Sequence, residues 1–130
     1  MILDTSFLID IMNGKQAALS KVDEIESIGI AQVVPAMTLQ ELYIGVGASE
    51  LPDEERRKIE AIIETRPIIP TSEEIARKAG KIDGQLRNVG QPINIGDASI
   101  GATGIVLDQP VVTGDIDHFE RIPDLDVETY

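Results

Sequence analysis

Short extended runs alternate with amphipathic helical stretches along this chain, and this alternation constrains its fold most. Ile2-Leu3, Ile30 to Val34 and Arg66 to Pro70 are each followed by a stretch whose apolar residues recur every three or four positions. Pro110 to Thr113 and Leu125 to Tyr130 predict two further strands, the last at an edge. Strands that alternate with helices favour a mainly parallel sheet. The pattern therefore predicts an α/β fold of three layers, with helices on both faces of a sheet of about four to five short strands.

Capping residues predict where several helices begin. Ser6 is predicted to cap the first helix, and Thr38 the helix after the second strand. Pro52, with three acids directly after it, predicts another helix start that suits the helix dipole. Thr71 or Ser72, followed by two glutamates, resembles a capping box.

Size and composition bound the class of protein. The chain has 130 residues, 42% of them hydrophobic, so we expect a single domain spanning residues 1–130. It contains no Cys, which excludes disulfides and thiolate chemistry. The longest uncharged run, Ser27 to Gln40, is too short to cross a bilayer, and the first residues lack the basic leader of a signal peptide. We therefore expect a cytoplasmic protein without membrane association.

The charge balance is strongly acidic. Asp and Glu number 23 against 11 Lys and Arg, a formal net charge of -12. Long-range electrostatics therefore oppose nucleic-acid binding. Solubility or a high-salt cytoplasm would explain the acidic excess, and stability that rises steeply with KCl would indicate the latter.

Four acidic residues follow predicted strands, where ligands bind in open α/β sheets. Asp4 comes directly after the first strand, and Asp115 two residues after Thr113, where a later strand ends. Glu41 lies about one turn into the helix after the second strand, away from its apolar face. Asp97 opens a helix made almost wholly of small residues, which suits close packing on a sheet. The sequence predicts that these acids meet in one cleft.

Each acid also has an ordinary structural explanation. Asp4 and Asp97 fit helix starts, Glu41 a solvated helix position, and Asp115 a turn. These explanations do not account for the joint placement. Two carboxylates about 5 Å apart repel by roughly 3 kcal/mol at an effective dielectric near 20, so such a cluster takes up protons or binds cations. Oxygen ligands without Cys or His suit Mg²⁺ or Mn²⁺.

Four segments, ILDTSFLID, TLQELYIG, GDASIGATG and VVTGDIDHFERIPDLDV, in this order and spacing, resemble the PIN domain family, most closely its VapC-type toxin ribonucleases. The resemblance covers nearly the whole chain. It implies a metal-dependent endoribonuclease with a parallel sheet flanked by helices. Matched motif by motif, it makes Asp4, Glu41 and Asp97 acidic metal ligands and places Ser6 beside the first of them.

The last segment departs from the family pattern. Many relatives carry Asn or Asp two residues after the Thr and an acid just before the Phe, where this chain has Asp115 and His118. We assign Asp115 as the fourth carboxylate and the additional acid Asp117 as an outer-sphere partner. Thr113 is expected to orient Asp115 rather than touch substrate, and His118 to form local hydrogen bonds.

The resemblance implies a mechanism. One or two Mg²⁺ or Mn²⁺ ions, held by Asp4, Asp97 and Asp115 with Glu41 nearby, would lower the pKa of a water for in-line attack on an RNA phosphodiester. The products would carry 5′-phosphate and 3′-hydroxyl ends. Six basic residues are expected to supply phosphate contacts from two helices, although a solvated helix face would also explain them: Arg56, Arg57, Lys58, Arg66, Lys81 and Arg87.

The resemblance also implies two protein partners, a small antitoxin whose apolar helix lies across the early helices and a second copy of the chain. Two other classes remain open from the residues. A noncatalytic metal-binding or interaction module would share the fold and the acids. A phosphate-accepting receiver-like domain would need a Lys near its acceptor Asp, and no Lys follows a late strand.

Overall fold

The computed structural model describes residues 1–130, in which five very short strands alternate with seven helices. The strands are Ile2–Leu3 (β1), Val34–Pro35 (β2), Ile68–Ile69 (β3), Val111–Val112 (β4) and Val127–Glu128 (β5). The helices are Thr5–Met12 (α1), Gln16–Ser27 (α2), Ala36–Ala48 (α3), Pro52–Ile63 (α4), Glu73–Asn88 (α5), Ile95–Leu107 (α6) and Asp117–Glu120 (α7).

All strand pairs are parallel. β4 lies between β1 and β5, with Ile2 opposite Val111 and Leu3 opposite Val112, and β2 pairs with β3. A parallel bridge between Ile2 and Val33 joins the two groups, so the strands run in the order β3-β2-β1-β4-β5. Their carboxyl ends therefore all lie at one edge, and the predicted parallel α/β sheet is confirmed.

The two residues of each central strand serve opposite faces of the sheet, because successive side chains in a strand alternate. Leu3 and Val112 pack with apolar side chains of α1, α2, α3 and α4. Ile2 and Val111 pack with those of α5, α6 and α7. Each fully buried Ile, Leu or Phe contributes about 1.5–3 kcal/mol of hydrophobic stabilisation. Two apolar layers on either side of one sheet make the three-layer architecture that the sequence predicts.

Helix α6 packs closely on the sheet, as its small residues predict. It is buried from Ala98 to Gly104. A Cβ atom at Gly104 would lie 2.9 Å from the carbonyl oxygen of Gln109 and 3.1 Å from Val111 Cγ2, closer than side chains pack. A larger residue there would push α6 away from β4.

Two predicted helix caps are wrong, and two are confirmed. α1 begins after Asp4, and the Ser6 hydroxyl bonds the Asp4 carboxylate instead of capping the helix. α3 begins at Ala36, and the buried Thr38 hydroxyl donates to the carbonyl oxygen of Leu3 at 3.0 Å. This bond fixes α3 to the end of β1. Ser72 does cap α5, accepting from the Ile75 N–H, and Pro52 begins α4.

The strands are shorter than the apolar runs predict. In the run before α3 only Val34–Pro35 forms β2: Val33 makes a single bridge with Ile2, and the Ala31 carbonyl accepts from the Met1 ammonium at 2.8 Å. In the last run only Val127–Glu128 pairs, and Tyr130 instead packs its ring on Phe7, with centroids 5.0 Å apart. None of the helices has the length and apolar character needed to cross a membrane.

Candidate active site

β1 is the switch point of the sheet, because the strands that follow it along the chain are first added on one side, as β2 and β3, and then on the other, as β4 and β5. Such a switch point opens a crevice beyond the carboxyl ends of the strands, where ligands of open α/β sheets bind. Asp4 directly follows β1 and Asp115 follows β4. The crevice is thus the place where the chain presents acids from two neighbouring strands.

The four predicted carboxylates line one pocket of about 200 Å³, here called the acidic pocket. Its walls are formed by nine residues: Asp4, Thr5, Ser6, Glu41, Asn94, Asp97, Asp115, His118 and Phe119. The predicted convergence of Asp4, Glu41, Asp97 and Asp115 is therefore what the fold produces. The residues come from the start of α1, the middle of α3, the start of α6, the loop after β4 and α7.

Asp4 is the most buried of these acids, at 5% exposure, and two hydroxyls hold it in place. Ser6 Oγ and Thr113 Oγ1 each lie 2.7 Å from Asp4 Oδ2 and donate to it. Thr113 is fully buried at the end of β4. Asp4 is therefore tied to both its own helix and the neighbouring strand.

The same two hydroxyls hold the loop that carries Asp115. Ser6 Oγ accepts from the Gly114 N–H at 2.9 Å, and Thr113 Oγ1 accepts from the Asp115 N–H at 3.0 Å. Each hydroxyl has one proton to give and lone pairs to receive, so it can donate to Asp4 while accepting from the loop. Ser6 and Thr113 thus connect the positions of Asp4 and Asp115.

Glu41 reaches the pocket because of Thr38, which anchors α3 to β1 one turn earlier on the same face. Its Oε1 accepts from the Thr5 hydroxyl at 2.7 Å. Burial, together with repulsion from Asp4 and Asp97, raises the pKa of Glu41 above its ordinary value, while the Thr5 hydroxyl opposes this shift. A Cβ atom at Gly96 would lie 2.7 Å from Glu41 Oε2, so a glycine makes room here for the carboxylate.

Asp97 lies in the first turn of α6, which Asn94 caps by accepting from the Asp97 N–H at 2.7 Å. Its Oδ2 shares a 2.7 Å hydrogen bond with His118 Nδ1. Burial raises the pKa of Asp97, His118 lowers it, and the charges of Asp4 and Asp115 raise it further. The expected local hydrogen-bonding role of His118 agrees with this contact.

The acidic pocket contains no Lys or Arg, and His118 is its one basic side chain. Four carboxylates without a Lys or Arg beside them, two of which, Glu41 and Asp97, have a raised pKa, make a set of oxygen donors that suits a hard divalent cation. The side chains are not drawn into a ready-made cluster of three metal ligands. Instead each of the four carboxylates is held by a hydroxyl, imidazole or backbone N–H group. A bound ion would draw together carboxylates that already line the same pocket.

Three residues that line the pocket were not predicted there, Thr5, Asn94 and Phe119, and two predicted site residues, Thr113 and Asp117, do not line it. Thr5 gave no signal beyond its place after Asp4. Asn94 had one, since Asn three residues before Asp97 is the spacing of a helix cap. Asp117 does not line the pocket, and its N–H donates to Asp115 Oδ1 at 3.4 Å.

Most of the basic residues expected to contact phosphate have partners within the chain. Arg56 and Lys58 pair with acids of α4 itself, and Arg87 pairs with Asp83 on α5. Arg66 is half-buried and donates to Gln32 Oε1 and to the carbonyl oxygen of Ile62. Arg57 and Lys81 form no ion pair within the chain.

A three-layer parallel α/β fold with acids gathered at the switch point defines a class of domain whose active site is an acidic cleft. Within that class the chain belongs to the PIN domain family, which matches residues 1–125. The resemblance inferred from the four sequence segments is therefore confirmed.

Comparison with individual proteins agrees with this membership. The chain is 30% identical to Ribonuclease VapC19 of Mycobacterium tuberculosis over 95% of both chains. Its structure is similar to that of VapBC from Salmonella typhimurium bound to DNA, with a TM-score of 0.87 and 25% identity over 98% of this chain and 96% of the other. VapBC2 from Rickettsia felis, bound to a promoter fragment, shares the fold with a TM-score of 0.90 and 22% identity over 99% and 97% of the two chains.

Proposed function

We propose that this chain is a divalent-metal-dependent endoribonuclease and the toxin of a toxin–antitoxin pair. The observation that carries the proposal is the acidic pocket, in which four carboxylates meet without a Lys or Arg at the switch point of a PIN domain. The relatives named as VapC ribonucleases supply the reaction class.

Asp4, Asp97 and Asp115 would hold one or two Mg²⁺ or Mn²⁺ ions, with Glu41 nearby. A bound ion would supply a water of lowered pKa and neutralise negative charge on the phosphodiester. No side-chain nucleophile is needed, so the 2′-hydroxyl takes no part and the expected products carry 5′-phosphate and 3′-hydroxyl ends. Products with 2′,3′-cyclic phosphate would contradict this mechanism.

The surrounding residues have positioning roles. Ser6 and Thr113 hold the Asp4 carboxylate and the Asp115 loop in one arrangement through paired hydrogen bonds. Thr5 orients Glu41, and His118 orients Asp97. Asp117, one residue beyond the loop, is assigned an outer-sphere role through its contact with Asp115.

The partners follow from the same assignment. RNA is the substrate, and a small antitoxin is the protein partner, as the VapBC names of the structural neighbours suggest for this chain. The family resemblance implies that an apolar helix of the antitoxin lies across the early helices. We further propose that the chain acts as one domain over residues 1–130, forms a homodimer and works in the cytoplasm. Receiver-like phosphoryl chemistry has less support, because no Lys lines the acidic pocket.

The experiment that tests the proposal is incubation of purified protein with total cellular RNA in Mn²⁺, in Mg²⁺ and with chelator, at low and high KCl. Asp97→Asn is the parallel variant. Cleavage abolished by both chelator and substitution is the expected result. Absence of cleavage under every metal and salt condition would overturn the proposal, and Mn²⁺ binding that persists would then favour a noncatalytic metal-binding module.

A further inference from the structure

Five of the 11 Lys and Arg side chains of this acidic chain form no ion pair within it, and two of the five, Lys78 and Lys81, lie on α5. Ion pairs occupy Lys15, Lys21, Arg56, Lys58 and Arg87. Lys78 and Lys81 have no such partner, and Arg77 has only an exposed contact to Glu73 at 3.5 Å. These three cations sit within five consecutive residues of α5, and two of them have no acidic partner.

The three cations line a groove of about 430 Å³ between α5 and α6. Its other walls are Glu74, Ile105 and Val106. With one carboxylate against three cations, the groove has a net positive charge in a chain whose formal charge is -12. A positive groove with partly buried apolar walls suits a polyanion whose sugars and bases contact the apolar floor.

A polar stripe continues from this groove toward the acidic pocket. Positions 78, 81, 85 and 88 recur every three or four residues and so share one face of α5. They are Lys78, Lys81, Gln85 and Asn88, all of them donors and none of them acidic. The start of α5 lies beside the end of α6, and residues 89–94 connect their other ends. The stripe therefore runs from the groove to the segment that ends at Asn94 in the pocket.

The spacing suits a short length of single-stranded RNA. Asp97 and Ile105 are eight residues apart on α6, or about 12 Å at 1.5 Å per residue. This distance is within reach of a few nucleotides of a single strand that follows a positive groove. We propose that the stripe of Lys78, Lys81, Gln85 and Asn88, with Arg77, binds the phosphates of the RNA strand that leads away from the acidic pocket. This inference rests on the proposed ribonuclease function.

The test compares two charge-neutralised variants for binding of a fluorescent 12-nucleotide RNA in the non-cleaving Asp97→Asn background. Lys78→Gln with Lys81→Gln removes two cations of the stripe. We expect the Kd at 0.1 M KCl to rise about 10- to 30-fold, and the salt dependence of log K to fall by about 1.4, at 0.7 per phosphate contact. Lys78→Arg with Lys81→Arg keeps the charge and should retain most of the affinity.

The matched control is Arg56→Gln with Lys58→Gln on α4, which removes the same charge. The sequence predicts phosphate contacts for these two cations as well, but the structure pairs both with acids of their own helix, so this proposal gives them no part in RNA binding. The Kd of this control should stay within about twofold of the parent. If wild-type protein cleaves RNA but the stripe variant keeps its Kd and salt dependence, the RNA-binding role of the stripe is overturned and the ribonuclease function is retained. The proposal would also be overturned if the stripe variant no longer co-purified with an antitoxin but kept its RNA affinity, because the groove would then bind protein and not RNA. A wild type that neither binds nor cleaves RNA would overturn both proposals.

Discussion

Helix α4 and the acidic pocket each contain four carboxylates, but only those of α4 are paired with Lys or Arg. Asp53, Glu54, Glu55 and Glu60 all lie within 3.0–3.9 Å of Arg56 or Lys58, at helical spacings of three or four residues. The carboxylates of the pocket accept from hydroxyls and from the Asp117 N–H, and one of them bonds a histidine. The number of acids in a short stretch of sequence therefore does not show whether their charge is balanced. The neighbouring acids of α4 are exposed and paired with cations, whereas the pocket acids, up to 111 positions apart in sequence, come together without a Lys or Arg.

The largest expected difference between the two regions is in RNA cleavage. Asp4→Asn keeps the shape of the side chain and its two hydroxyl contacts but removes the charge. Because metal-ion stabilisation supplies several kcal/mol, we expect cleavage to fall at least about 100-fold. Asp53→Asn on α4 removes one charge from a paired surface site and should leave the rate unchanged. Equal rates for the two variants would contradict the assignment.

Binding of divalent ions in the acidic pocket should stabilise the protein against unfolding, whereas the paired acids of α4 should not take part. At a free Mn²⁺ concentration of about 100 times Kd, binding adds about 2.7 kcal/mol, which raises Tm by about 10 °C for a chain of this size. We expect this shift in wild-type protein and in Glu54→Gln, and its loss in Asp97→Asn. Differential scanning fluorimetry with and without Mn²⁺ measures it. A similar shift in Asp97→Asn would place the binding elsewhere.

Thr113 tests whether the connection between Asp4 and Asp115 matters. Thr113→Val keeps the volume but removes the hydroxyl that donates to Asp4 and accepts from the Asp115 N–H. Loss of these buried bonds should cost about 1–3 kcal/mol, measured by urea unfolding. Loss of ligand orientation should lower cleavage about 10- to 100-fold. Thr113→Ser retains the hydroxyl and should recover most of both quantities.

The smallest expected effect is the pH dependence from Glu41. Its pKa in the folded protein is raised above the ordinary 4.5, so the folded state holds this proton more tightly than the unfolded chain. The resulting stabilisation is complete below about pH 4.5 and is lost as pH rises through the folded pKa. In metal-free buffer at pH 7, Glu41→Gln should therefore be more stable than wild type by less than about 1 kcal/mol, since the site is half-exposed.

This stability difference should disappear when the unfolding measurement is repeated below pH 4.5. Glu55→Gln on α4 is the control, because it removes an attraction to Lys58 and should give no gain at either pH. A Glu41→Gln variant less stable than wild type at pH 7 would show that the Thr5 bond outweighs the repulsion.

The fold was largely predictable because its signals are local and repeated. Ile2 and Leu3, or Val111 and Val112, are apolar on both faces, as a doubly covered strand requires. The wrong predictions concern hydroxyl groups that could either cap a helix or bond another part of the chain. Ser6 and Thr38 are good helix caps by type, but their hydroxyls instead bond a carboxylate and a strand carbonyl that lie near only in the folded chain.

The order of strands and helices along the chain and the four acids that follow strands could be predicted, because both depend on spacing, and the acidic balance could be counted. Three arrangements became visible only in the folded chain: Thr5 holds Glu41, His118 bonds Asp97, and Ser6 and Thr113 connect Asp4 with Asp115. The tertiary structure also decided which cations remain unpaired. These contacts join residues far apart in sequence, and a hydrogen bond depends on distance and angle, which no local pattern specifies.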